Sequence, residues 1–106
     1  MVTIDQIQEL ADQIAREYQP ERIILFGSFA YGDPHPHSDV DLLVSMPFKG
    51  NALNKAAGMI RNLKPPFAVD LMLHRPEQIK QRIEWGDPLL REAVERGRVL
   101  YAAPDR

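Results

Sequence analysis

The chain has 106 residues, a formal net charge of −2 and no cysteine. This length fits one compact domain with a modest hydrophobic core. Its 44% hydrophobic and 26% charged residues are typical of a folded globular chain rather than a disordered one. The charge excludes a protein that coats nucleic acid through bulk positive charge, and the missing cysteines exclude disulfides and thiolate metal sites. We therefore expect a single domain over residues 1–106 that does not bind nucleic acid directly.

A cytoplasmic location is the simplest expectation for this chain. No apolar run approaches the roughly 20 residues that are needed to span a bilayer. The N-terminal stretch is amphipathic and acidic, so it lacks the basic and then apolar layout of a signal peptide.

Hydrophobic periodicity and turn residues divide the chain into predicted elements. The predicted helices are residues 3–18, a short helix after Gly27, Asn54–Leu63, Arg75–Trp85 and Leu89–Arg96. The predicted strands are Arg22–Phe26, Val40–Ser45 and Ala68–Leu73, while Val99–Tyr101 is either a last short strand or an extended tail. This order predicts a small α/β or α+β fold in which helices pack against one mixed sheet.

Particular residues are expected to set the helix ends. Thr3 and Gln6 have the spacing of a capping box. Asp87 before Pro88 is typical of a helix start, and Gly97 is typical of a helix end. The helix over Asn54–Leu63 is expected to turn one apolar face inward, made of Leu53, Ala56, Ala57, Ile60 and Leu63.

Two aspartates at the start of the second predicted strand are the first candidate metal ligands. Strand side chains alternate, so Asp39 and Asp41 point to the same face. Two adjacent carboxylates repel each other unless a cation bridges them, and their hard oxygens suit Mg²⁺ or Mn²⁺. Asp70 interrupts the apolar third strand, where a charge is costly without a partner. If the two strands are neighbours, the three acids could hold two divalent ions and direct a displacement at phosphorus.

Gly27 and Ser28 supply the other part of such a site. Glycine lets the backbone come close to a phosphate, and the serine hydroxyl and nearby N–H groups can receive a triphosphate. The alternative for Asp39 and Asp41 is a pair of solvated acids at a loop-to-strand junction. The alternative for Asp70 is an exposed acid on an edge strand.

These residues resemble the signature of the polymerase beta-like nucleotidyltransferase superfamily, a Gly-Ser pair followed by Asp-x-Asp among apolar residues. Here ten residues separate Gly27-Ser28 from Asp39, and Asp39-Val40-Asp41 completes the pattern. The small size places the chain near the minimal nucleotidyltransferases of bacteria and archaea, the MNT group. The resemblance covers nearly the whole chain, including Asp70 and the pair Leu100-Tyr101.

The resemblance implies an activity and a set of site residues. The family transfers a nucleoside monophosphate from a nucleoside triphosphate and releases pyrophosphate, and AMP from ATP is the favoured reaction here. By resemblance, Asp39 and Asp41 would bind two Mg²⁺ ions, with Mn²⁺ as the alternative. Asp70 would complete the metal site and help to activate the attacking hydroxyl, while Gly27 and Ser28 would bind the nucleotide.

The resemblance also implies a partner. Many minimal members are encoded beside a small helical HEPN-domain protein, a ribonuclease-like toxin. The MntA-like antitoxins of these HEPN/MNT pairs, which form type VII-like toxin–antitoxin systems, include some that attach AMP to a tyrosine of the toxin. A HEPN toxin is therefore the expected partner, and a homo-oligomer stays open.

The segment after Gly-Ser departs from the family pattern. Many relatives carry arginine there, where this chain has Phe29 and Tyr31. A basic contact to the triphosphate is then either missing or supplied by Arg61, Lys64, Arg75 or the partner. Two alternatives stay open: a catalytically weak domain that neutralises a toxin by steric contact, and nucleotidyl transfer to RNA or a small molecule.

Other polar and aromatic residues are assigned simpler roles. His35 and His37 have the spacing of a transition-metal site but no further ligand, so we expect them to be exposed to solvent. His74 is expected at a turn. Trp85 and Tyr101 are expected to pack in the protein or against a partner rather than stack on a base.

Overall fold

The computed structural model describes residues 1–104, and this part of the chain begins with a helix and ends with a strand. The helices in that range are α1 (Ile4–Tyr18), α2 (Ser28–Tyr31), α3 (Ala52–Leu63), α4 (Pro76–Glu84) and α5 (Pro88–Arg96). The strands are β1 (Arg22–Phe26), β2 (Val40–Ser45), β3 (Val69–His74) and β4 (Arg98–Ala102). Within these residues no helix is both long enough and apolar enough to cross a membrane.

The four strands form one mixed sheet in the order β3-β2-β1-β4. β1 is antiparallel to both β2 and β4, whereas β3 is parallel to β2. A parallel pair needs a crossover connection, and α3 provides it. The predicted mixed sheet with helices packed against it is confirmed. The stretch Val99–Tyr101 belongs to a strand rather than to an extended tail.

Each face of the sheet has its own hydrophobic core, because side chains alternate along the strands. On one face, α1 and α3 bury residues that include Ile14 and Met59. On the other face, α4 and α5 bury residues that include Ile79 and Leu90. The acids of the candidate site lie on this second face, which carries the smaller of the two clusters.

The predicted capping residues begin α1 and α5. The Thr3 hydroxyl accepts a hydrogen bond from the Gln6 N–H, and the Thr3 N–H donates to the Gln6 side chain, so the capping box is confirmed. The Asp87 carboxylate accepts from the N–H groups of Leu89 and Leu90. These bonds satisfy donors that have no partner within a helix.

The predicted start and inner face of α3 need correction. The helix begins two residues early, because the Asn51 side chain caps it by accepting from the Asn54 N–H. Leu53 is 80% exposed and Ala57 is also exposed, while Met59 is buried. At about 100° per residue, Leu53 and Ala57 lie to one side of the buried stripe that contains Met59. The prediction extended the apolar face too far around the helix.

Two aromatic residues have different environments. Tyr101 is partly buried and packs against the core beneath α1, as predicted. Trp85, which ends α4 as its C-cap, is 75% exposed. Packing inside the described protein is therefore excluded for Trp85, and contact with a partner remains a prediction.

Gly97 ends α5 for a reason that the sequence did not indicate. Its φ of −70° is ordinary extended backbone rather than the left-handed conformation of a typical glycine cap. A Cβ atom here would overlap the Ala93 carbonyl oxygen and a methyl group of Ile24, and it would crowd the Leu25 carbonyl. Glycine is required because α5 and β1 approach each other at this point.

Candidate active site

The strand register places Asp41 directly beside Asp70. In the parallel pairing of β2 and β3 their Cα atoms are partners, so both side chains leave the same face of the sheet. Asp39 immediately precedes β2. Phe26 is the antiparallel partner of Asp41 on β1. The topology thus brings together acids that lie about thirty positions apart in the chain, as the sequence predicted for neighbouring strands.

The Asp41 carboxyl is half-buried between two exposed acids. Burial raises its pKa above the ordinary value, and the negative charges of Asp70 and then Asp39 raise it further. The carboxylates of Asp70 and Asp39 are therefore close enough to Asp41 to influence it. A cation bound among them would relieve this repulsion.

The donor set fits Mg²⁺ or Mn²⁺. Carboxylate oxygens are the ligands that these hard cations prefer, and burial together with the charges of Asp70 and Asp39 raises the pKa of Asp41 in the absence of a cation. Within residues 1–104, however, no three histidine, aspartate or glutamate side chains are already spaced to hold one ion. The backbone brings the acids to one place, and their side chains would have to close around an ion.

Gly27 lies against the Asp41 carboxylate at the end of β1. Its φ of 74° and ψ of −160° are a combination that is essentially restricted to glycine. A Cβ atom at Gly27 would overlap Oδ2 of Asp41. Conformation and space both require glycine here, and the backbone can approach the carboxylate only because no side chain intervenes.

Ser28 begins the single turn α2, where two backbone donors are free. The Gly27 carbonyl accepts from the N–H groups of Ala30 and Tyr31. In the described part of the chain, the N–H groups of Ser28 and Phe29 have no hydrogen-bond partner. These donors and the Ser28 hydroxyl could contact an anion that lies over Gly27.

A cavity of about 570 Å³ opens at this point. Its lining includes Gly27, Asp41 and Asp70, and it extends along β3 as far as His74. Apolar residues of β3, α3 and α5 make up most of the remaining lining. The cavity therefore contains two of the three predicted acids, while Asp39 and Ser28 lie outside its lining.

No lysine or arginine among residues 1–104 lines this cavity. Arg75, one of the cations suggested from the sequence, is held elsewhere, since its Nε donates to the Phe48 carbonyl and its guanidinium lies 4.2 Å from the Phe48 ring centre. Arg96 lies closer. Its guanidinium is 4.4 Å from the Tyr31 ring centre and 2.9 Å from the Glu92 carboxylate. Because Tyr31 and Glu92 line the cavity, Arg96 is a cation that adjoins it.

The sequence interpretation missed the contribution of α5. Leu89 and Glu92 reach the cavity because α5 packs on β1, a long-range contact that no local pattern encodes. Tyr31 had a local signal, since it occupies a position where relatives carry arginine, but its pairing with Arg96 depends on the same packing of α5.

The histidines occupy two different regions. His35 and His37 are exposed in the loop before β2, as predicted. The prediction of a turn position for His74 is wrong, because β3 continues one residue further than expected and His74 is its last residue. Burial lowers the pKa of His74, the charge of Arg82 lowers it further, and Asp87 opposes both. His74 therefore favours its neutral form at the far end of the cavity.

Comparison with known proteins identifies the family of the chain. A family model described as a nucleotidyltransferase domain matches residues 7–101, which include all five predicted site residues. The chain belongs to this family of nucleotidyltransferases, and the resemblance inferred from the Gly-Ser and Asp-x-Asp pattern is confirmed.

A relative and two solved structures extend the comparison. The relative, from Methanocaldococcus jannaschii, is named "Putative protein adenylyltransferase MJ0604" and is 29% identical over 97 residues, which cover 90% of this chain and 94% of the relative. A structure from Sulfolobus solfataricus described as a "putative nucleotidyltransferase" has a TM-score of 0.63 at 20% identity, covering 92% of this chain and 78% of that one. A toxin–antitoxin structure with AMP-PNP has a TM-score of 0.57 at 22% identity, covering 91% and 73%. The two structures share the polymerase beta-like fold with this chain.

Proposed function

We propose that the protein transfers AMP from ATP to a hydroxyl group of a protein acceptor, a tyrosine of a HEPN-domain toxin, and thereby acts as the antitoxin. The observation that carries this proposal is the pairing of Asp41 with Asp70 beside Gly27, in the lining of a cavity of about 570 Å³. Membership of the nucleotidyltransferase family supplies the class of reaction.

The support for the proposed acceptor and the proposed partner comes from the relatives. The name of the Methanocaldococcus jannaschii protein supports a protein as the acceptor. The toxin–antitoxin structure with AMP-PNP supports a toxin partner and an adenine nucleotide. The HEPN identity of the toxin and the tyrosine acceptor come from the resemblance to the MNT group.

The proposed reaction is an in-line displacement at the α-phosphorus of ATP. The acceptor oxygen forms a bond to this phosphorus while the bond to the bridging oxygen of pyrophosphate breaks, and pyrophosphate leaves with the electron pair. Asp70 is more exposed than Asp41 and takes the proton of the attacking hydroxyl. The Ser28 hydroxyl and the free N–H groups beside Gly27 bind the phosphates of the leaving group.

The acids have a second role in this proposal. Asp39, Asp41 and Asp70 would hold two Mg²⁺ ions, which supply charge neutralisation at the attacking and leaving oxygens. Gly27 keeps Asp41 in place, because the carboxylate packs against a backbone that has no side chain at that point.

A second candidate function is steric neutralisation of the toxin without catalysis. One observation favours it: no cationic side chain in residues 1–104 lines the cavity, although a triphosphate carries several negative charges. In that case the complex would form and persist with the acids replaced.

The test uses ATP labelled at either the α- or the γ-phosphate, Mg²⁺ and the product of the adjacent gene. We expect the α-label to remain on the partner and the γ-label to leave with pyrophosphate. Asp41→Asn should lower the transfer by about 100-fold or more. Asp33→Asn is the matched control, because it removes the same charge from the exposed loop outside the cavity.

Three outcomes separate the candidates. Retention of the α-label that depends on Asp41 supports the transferase. Retention of the γ-label would instead indicate phosphorylation and overturn the proposal. A stable complex without label, unchanged by Asp41→Asn, would favour steric neutralisation.

A further inference from the structure

β3 is an edge strand whose outer side can be identified residue by residue. The Ala68 carbonyl accepts from the Val40 N–H at 2.9 Å, and the His74 carbonyl accepts from the Met46 N–H at 3.1 Å. In a parallel ladder, alternate residues of a strand direct both backbone groups to the neighbour. The even-numbered residues from 68 to 74 therefore face β2, and the odd-numbered residues face away from it.

The outward backbone groups have no partners within residues 1–104. Among these residues β3 pairs with β2 alone. No further hydrogen bond reaches the N–H or C=O of Val69, Leu71 or Leu73. The free edge thus presents donors and acceptors in the spacing that an extended main chain would complement.

The candidate active-site cavity runs along this free edge. Four consecutive residues of β3, from Leu71 to His74, line it together with Asp70. Leu53 of α3 and Leu89 of α5 also line it, and they are 80% and 50% exposed. The free edge of β3 therefore lines one side of this cavity, which forms an apolar groove that continues to Asp41 and Asp70.

We propose that this groove binds an extended peptide segment of the acceptor, which adds to the sheet as a strand beside β3. This inference rests on the proposed function and deepens it, because it states how the acceptor hydroxyl would reach the site. Paired residues on neighbouring strands point to the same face, with Cβ atoms about 5 Å apart. A hydroxyl residue opposite Asp70 would therefore lie on the face that carries Asp41 and Asp70.

The charges of the groove favour a peptide over an RNA strand. Asp41, Asp70 and Glu92 line the cavity, and no lysine or arginine of the described chain does. An RNA backbone would therefore gain no ion pair with a side chain of this lining, and its phosphate oxygens only accept hydrogen bonds. An extended peptide is the partner that can both donate to the free C=O groups and accept from the free N–H groups.

Amide hydrogen exchange tests the proposal on the unaltered protein. The probe is a pool of decapeptides, each with one central tyrosine, serine or threonine, added with Mg²⁺ and a non-hydrolysable ATP analogue. We expect the amides of Leu71 and Leu73 to exchange rapidly in the free protein and at least about tenfold more slowly with peptide. The amides of Asp70 and Met72, which face β2, should be protected in both states.

A pair of variants separates the role of the Leu71 backbone N–H from the role of the Leu71 side chain. Leu71→Pro and Leu71→Ala both remove the leucine side chain, but only proline removes the outward N–H. Proline is tolerated where the N–H faces away from the sheet. We expect Leu71→Pro to raise the KM for the peptide several-fold above that of Leu71→Ala, with the KM for ATP equal in both. If Leu71→Pro does not fold, the exchange measurement still decides.

Two results would overturn the inference, and a third would separate it from the proposed function. Protection of Leu71 and Leu73 by the ATP analogue alone would show that the edge contacts the nucleobase. Unchanged exchange with every peptide, together with AMP transfer to the intact partner protein, would refute strand addition and leave the transferase intact. Peptide-induced protection without any AMP transfer would support the groove and count against the transferase.

Discussion

Replacing Gly27 with alanine perturbs the site through one added methyl group. Two costs arise from the structure. The φ of 74° with ψ of −160° is a region where a non-glycine residue costs about 1–3 kcal/mol. In addition, the new Cβ overlaps Asp41 Oδ2, so the carboxylate must move. A displacement of about 1 Å in a catalytic group can lower the rate by about 100-fold. We expect a loss of both stability and AMP transfer.

Gly32→Ala is the matched control for this variant. Gly32 also has a positive φ, 88°, but no atom lies within 4 Å of its added Cβ. Both variants should lower the melting temperature in circular dichroism, by roughly 4–8 °C per kcal/mol for a domain near this size. Only Gly27→Ala should also lose transfer, measured well below both melting temperatures. Equal activity in the two variants would refute the view that Gly27 holds Asp41 in position.

Three further predictions follow from the charges and packing. Because the pKa of Asp41 is raised, its protonated carboxyl stabilises the folded state at low pH, and this stabilisation is lost as the pH rises through that pKa. In magnesium-free buffer at neutral pH, Asp41→Asn should therefore melt at a higher temperature than the wild type. A lower melting temperature would contradict this expectation. Gly97→Ala should destabilise the protein by about 1–3 kcal/mol in urea unfolding, because its Cβ overlaps the Ala93 carbonyl, and a neutral effect would refute the close approach. Arg96→Ala should raise the KM for ATP about two- to fivefold, which is the effect expected from losing one exposed ion-pair contact. Arg91→Ala, on the same helix, should leave the KM for ATP unchanged. Equal KM values for the two variants would exclude Arg96 as a triphosphate contact.

Local features of the fold could be predicted where the sequence carries a local pattern. The capping pair Thr3 and Gln6, the strand Val40–Ser45 and the Asp87 cap all depend on residues within a few positions of each other. The position of Asp41 near Asp70 could be predicted only on the condition that β2 and β3 are neighbours, since strand order is a property of the whole sheet.

Features that depend on packing between distant elements could not be read in this way. The exposure of Leu53 follows from how α3 is rotated on the sheet, and a nearly continuous apolar pattern does not fix that rotation. Arg96 reaches Tyr31 only because α5 returns to β1. The need for glycine at position 97 likewise comes from the approach of two backbones, although its place at the helix end was predicted correctly.

The most direct test of the proposed function is intact mass analysis of the adjacent gene product after incubation with this protein, ATP and Mg²⁺. We expect the partner to gain one or more AMP units, and we expect this gain to be lost when Asp39 and Asp41 are both replaced with asparagine. A partner that forms a stable complex with this protein and keeps its original mass would contradict the proposed transferase function and indicate neutralisation by binding alone.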